Sequence, residues 1–230
     1  MKTLGLIGGM SWESTAVYYR LLNRGVRERL GGQASASLVV WSFDFAPIVA
    51  MQSAGEWDRA AAQLVDAACR LQAAGAEALL ICANTMHRMA DEVQAAVTVP
   101  VIHVADVTAT AIRARDVRRP LLLATRYTME QDFYRARLSA CGVEAVVPPE
   151  QDRVRLQSII FDELIQGVLE PASKAAMLQI VARARRDQGV DAVILGCTEF
   201  GLLVGPEDFD LPVFDTTVIH AQAGVEFALG

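Results

Sequence analysis

The chain has 230 residues, of which 53% are hydrophobic, and carries a formal net charge of −6 with a pI of about 5.1. That length holds one large domain or two of about 100 residues, and the apolar content supplies a core and argues against disorder. The longest apolar runs fall far short of the roughly 20 residues of a membrane span, and an acidic chain without a basic stripe excludes nucleic acid as the expected partner.

In chain order, MKTLGLIGG has one lysine, no long apolar region and no cleavage site. It reads as a first strand over 3–8, and the cytoplasm is the expected location. GLIGGMSWEST then opens a helix. Gly8 and Gly9 permit either a plain strand-to-helix turn or a backbone pocket for a small carboxylate. The spacing is not G-x-G-x-x-G, and Asp44 is a weak stand-in for the acidic residue of a dinucleotide fold. Further β-rich runs follow at 36–42, 77–82, 99–104, 120–125, 143–148, 191–196 and 211–215. Most are separated by segments of helical period. In 56–74, Trp57, Ala61, Leu64, Val65, Ala68 and Leu71 form one stripe, with Cys69 beside it read as packing. Continuous apolar strands alternating with helices predict an α/β protein built on buried parallel sheet.

The halves rhyme. LLICANTMH followed by VPVIHVADVTATAI is similar to VILGCTEFG followed by LPVFDTTVIHAQAG, and the two openings match as well. This predicts two similar lobes joined near 115–120 and related by a pseudo-twofold, with a cleft between two sheets. Ligands of open parallel sheets sit outside the carboxyl ends of the strands. The polar clusters at 8–11, 83–85, 124–128 and 197–199 all fall at such ends.

The four cysteines (69, 82, 141, 197) form no CxxC pair, so neither a metal site nor a disulfide framework is expected. Cys197 ends a strand. There a helix start would lower its pKa from about 8.5 and suit it to acid–base work, although an inert buried cysteine remains an alternative. A nearby Glu199 carboxylate would oppose that shift, so Glu199 is expected to face a ligand ammonium group. Asn84 and Thr85 could hold a ligand or simply cap a helix. His87 reads as a base or, more often, a helix-surface or supporting residue, and His103 and His220 are assigned no role.

Together GLIGGMSWEST, ANTMH, ATRYTMEQDFY, LGCTE and LPVFDTTVIHA closely resemble the aspartate/glutamate racemase family, and most of all its broad-specificity and L-specific amino-acid branch. The resemblance implies two α/β lobes, each around a parallel sheet of about four strands flanked by helices, with the site in the cleft between them. The first lobe would comprise 1–98 plus 209–230 and the second 99–208. It implies cofactor-independent proton abstraction and redelivery at Cα of an amino acid or related carboxylate, and a homodimer. Cys197 would be the acid–base group, with Thr198 and Glu199 touching substrate. Asn84 and Thr85 would grip it from the first lobe. The Met10 backbone and Gln52 would line the pocket, joined by Thr125 and Thr128.

Two departures stand out. The family's first-lobe base precedes the asparagine, and here that residue is Ala83, which has no proton to exchange. Cys82 is one position early and should face the core. It and a water held by Thr85 are the candidate replacements. The stretches FDFAPIVAMQ and LQSIIFDELIQG, where aspartate-preferring members carry basic side chains, contain no Lys or Arg, so aspartate is not the default substrate. The expected activity is therefore a racemase, impaired or one-directional. A single-thiol decarboxylase or isomerase and a non-catalytic amino-acid-binding protein are the alternatives.

Overall fold

A computed structural model describes residues 1–230, which divide into two compact units: Met1–Val104 with His220–Gly230, and Ala105–Ile219.

The first unit contains β1 (Leu4–Gly8), α1 (Trp12–Leu30), β2 (Leu38–Ser42), α2 (Phe45–Ala54), α3 (Trp57–Ala73), β3 (Ala78–Ile81), a 3-10 helix (Thr85–Met89) and α4 (Ala90–Ala96). Its strands run parallel in the order β2-β1-β3, and a single bridge from Leu79 to Val101 adds a fourth position beside β3. Alternation along β3 sorts its side chains. Ala78, Leu80 and Cys82 pack with Leu4, Leu6 and the α1 residues Tyr18, Leu22 and Val26. Leu79, Ile81 and Ala83 pack on the other face with Ile7 and the α3 residues Leu64, Ala68 and Leu71. The α3 stripe buries as its period predicts, but Cys69 is exposed, not packed.

The second unit contains most of α5 (Val104–Arg113), then β4 (Pro120–Ala124), α6 (Arg126–Glu130), α7 (Asp132–Ala140), α8 (Glu150–Ser158), α9 (Pro171–Gln188), β5 (Ala192–Gly196), α10 (Phe200–Leu203) and β6 (Val213–Asp215). α11 (Thr216–Leu229) begins here and belongs to the first unit from His220 onward. The strands are parallel in the order β4-β5-β6, and a bridge from Leu121 to Val146 adds a fourth position beside β4. Each sheet is thus three strands plus a one-residue bridge, and all eight β-rich runs have a place.

The boundaries differ from those expected. Residues 209–219 fall in the second unit because β6 pairs with β5. The first crossing follows Val104, neither near 115–120 nor after residue 98: Val101 bridges Leu79 beside β3, which keeps 99–104 with the first unit. Asp106 of α5 binds Arg137 of α7 through two hydrogen bonds of 2.7 and 2.9 Å, which ties α5 to the second unit.

Candidate active site

At the end of β1 the chain turns at Gly9, whose φ of +81° is costly for any other residue. A Cβ at Gly9 would collide with the Phe43 backbone. The Gly9 N–H donates to Thr15 Oγ1 at 2.8 Å, and that hydroxyl donates to the Ser11 carbonyl at 3.0 Å. The Gly9 N–H is therefore spent inside the turn, which at this donor favours the plain strand-to-helix alternative. Met10 is buried against Ile7, Ile48 and Met51. Gln52 is buried too, and its amide donates to the Met86 sulfur at 3.0 Å, a weak acceptor.

Ala83, 8% exposed, shares the core cluster of Met10 and Met86, whereas Cys82 lies on the opposite face of the sheet. The Cys82 thiol is fully buried, 3.8 Å from the Leu80 carbonyl, and burial alone pushes its pKa far up. It is a core hydrophobe on the face opposite Ala83, so nothing in its placement suits it to be the missing base. Asn84 and Thr85 are buried at the start of the 3-10 helix, and Asn84 does not cap that helix with its side chain.

In the second unit Cys197 follows β5 directly and is 6% exposed. Its thiol donates to Glu199 Oε2 at 3.0 Å, and the Thr198 hydroxyl donates to the same oxygen at 2.8 Å. Two expectations fail here. The Cys197 pKa is raised well above its ordinary value, first by burial and then by the Glu199 charge and hydrogen bond. Backbone N–H groups of Glu199 and Phe200 oppose the shift without reversing it. The following helix has only four residues, so its dipole is too small to win. Glu199 turns toward the thiol, where one of its oxygens is already engaged. Thr125 and Thr128 sit together after β4. Thr125 caps α6 by accepting the Thr128 N–H at 3.4 Å, and their hydroxyls lie 3.1 Å apart.

The two sheets give these positions a common frame. Leu79 bridges Val101 and donates its N–H to the Pro100 carbonyl; Val193 pairs with Val213 and donates to the Pro212 carbonyl. Ala83 lies four residues beyond Leu79, and Cys197 four beyond Val193. Ala83 is therefore the topological counterpart of Cys197, and Cys82 is the counterpart of Gly196.

Sequence reasoning gave His87 a supporting alternative but missed that the three histidines meet. All three are buried in the first unit, and the His87 ring lies 4.6 Å from His103 and 5.5 Å from His220. His87 is buried, which removes the helix-surface alternative and leaves the supporting one. Their separation along the chain hides this. The one available signal was that each lies close to a strand end or within the final helix.

The Asp/Glu/hydantoin racemase family matches residues 7–224, and the chain belongs to it. A candidate Asp/Glu racemase from Yersinia pestis is 46% identical over the full length of both chains, with a TM-score of 0.93. An aspartate racemase homologue from Pyrococcus horikoshii is 36% identical, also over both full lengths, with a TM-score of 0.88. The broad-specificity amino-acid racemase RacX of Bacillus subtilis is 21% identical over 164 residues, covering 70% of this chain and 69% of its own.

Proposed function

We propose that this chain is an amino-acid racemase that works without a cofactor, with Cys197 as its acid–base group. The observation that carries the reading is the strand-end thiol hydrogen-bonded to a buried carboxylate. Because its pKa is raised, the resting thiol holds its proton and is poised as an acid. To act as a base it passes that proton to Glu199, and the thiolate then takes the Cα proton, leaving a carbanion. On redelivery the S–H bond breaks and a C–H bond forms. Asn84 and Thr85 are the proposed grip on the substrate carboxylate, where fixed donors stabilise developing charge. Thr198, Gln52 and the Met10 backbone complete the proposed lining. A cytoplasmic homodimer belongs to the same reading, on the family resemblance.

Inversion needs a proton carrier on each side of Cα, and Ala83 carries none. That one observation favours a second reading, in which a single thiol protonates a carbanion left by loss of CO2. Incubating the protein with a panel of L-amino acids in D2O, while following Cα deuteration, chirality and CO2, separates the readings. Deuteration that needs Cys197 supports the racemase family chemistry; CO2 release favours the lyase. Binding with neither leaves only an amino-acid-binding protein.

A further inference from the structure

The histidine cluster is not arranged as a metal site: no group of three His, Cys, Asp or Glu side chains is placed to hold an ion. Ring nitrogens are spent on the backbone instead. His87 Nε2 accepts the Val104 N–H at 3.2 Å, which leaves the proton of the neutral ring on Nδ1. The Ala83 carbonyl stands 2.9 Å from that Nδ1. The His87 backbone N–H meanwhile donates to the Asn84 carbonyl at 3.1 Å. One residue thus holds two successive carbonyls at the end of β3. Its ring is in turn packed against His103 and His220. His220 is fixed by the Ile102 carbonyl at 2.7 Å and the Tyr18 hydroxyl at 2.8 Å.

We propose that His87, as its Nδ1–H tautomer, is a positioning residue that sets the direction of the Ala83–Asn84 peptide and so the aim of Asn84 and Thr85. In a trans peptide the C=O and N–H point opposite ways. Anchoring the Ala83 oxygen on the imidazole therefore turns the Asn84 N–H away from the histidines and fixes the start of the 3-10 helix. The second unit solves the same problem without a side chain. His87 corresponds there to Gly201, and the Cys197 carbonyl accepts the Phe200 N–H at 3.1 Å. The role in turnover rests on the proposed function, in which Asn84 and Thr85 grip substrate; the tautomer and the peptide direction do not.

Long-range 1H–15N correlation on the wild-type protein at neutral pH reads the His87 tautomer directly. The expected result is protonated Nδ1 and bare Nε2, and a proton on Nε2 overturns the proposal. Two variants extend the test. His87→Asn places an amide donor where Nδ1 stands, whereas His87→Phe fills the space with no donor. His87→Phe should displace the backbone amide resonances of residues 83–85 and lower kcat/KM for Cα deuteration about tenfold, the loss of one hydrogen bond. His87→Asn should restore both to within about threefold of wild type. Unmoved amides in His87→Phe, or an Asn variant as impaired as Phe, contradict the proposal. If His87→Phe does not fold, the wild-type tautomer and the Asn variant still decide. If no amino acid is deuterated by the wild type, the racemase reading fails alone and the resonance measurements decide this one.

Discussion

The ends of β3 and β5 occupy the same place in sheets of the same strand order, yet they carry different chemistry. At the end of β5, a thiol, a hydroxyl and a carboxylate share one hydrogen-bonded group. At the end of β3 the matching side chain is a methyl group, and the polar residues Asn84 and Thr85 begin one position later. The imidazole behind them holds main chain and offers neither nitrogen to a substrate. On the proposed function, one strand end would move a proton and the other would hold the substrate still. Shared topology fixes where chemistry can sit, while a single side chain decides whether any occurs there.

Removing the equipped end should have the largest effect. Cys197→Ser should lower thiol-dependent Cα deuteration about a thousandfold, the range of a lost acid–base group, with little change in melting temperature. Equipping the empty end is the converse. Ala83→Thr or Ala83→Cys should raise the rate of inversion, measured by chiral chromatography, by about tenfold to a hundredfold. No gain in either variant would break the equivalence of the two positions. The carboxylate comes next. Glu199 raises the Cys197 pKa by its charge and hydrogen bond, so Glu199→Gln should move the pH profile of iodoacetamide alkylation to lower pH. The same variant should slow deuteration on the order of tenfold by removing the proton's destination.

The smallest effect on catalysis is a stability effect behind the holding end. Burial lowers the His220 pKa from 6.5 to about 4, so the folded state keeps the ring neutral where the unfolded chain would protonate it. Its contribution is complete above about pH 6.5 and is lost as pH falls toward 4, up to about 3 kcal/mol in all. Asp215, whose pKa burial raises, works against that slope at the acid end. Thermal unfolding across this range should show a shallower acid slope in His220→Gln than in wild type.

Much of this was legible in the sequence. Apolar runs bounded by polar clusters gave all eight sheet positions, and the rhyme between the halves anticipated the common strand order. Strand parity correctly sent Cys82 to the opposite face from Ala83. What failed depended on distances the sequence does not contain. The pKa of Cys197 turned first on how deeply the thiol is buried, then on whether Glu199 folded back onto it. The choice between a plain turn and an anion pocket at Gly9 depended on Thr15, six residues on, which returns to take the Gly9 N–H. The unit boundaries moved because Val101 bridges Leu79, Asp106 pairs with Arg137 and β6 pairs with β5. The histidine cluster depends on residues as far apart as 87 and 220, with no local pattern to announce it.

The most direct test of the account is the ratio of Cα deuterium uptake to inversion for a substrate of the wild-type protein in D2O. With one proton-carrying side chain, uptake should outrun inversion, and both should fall about a thousandfold in Cys197→Ser. Uptake and inversion at equal rates in the wild type would contradict it, because a second proton carrier would then be at work where Ala83 offers none.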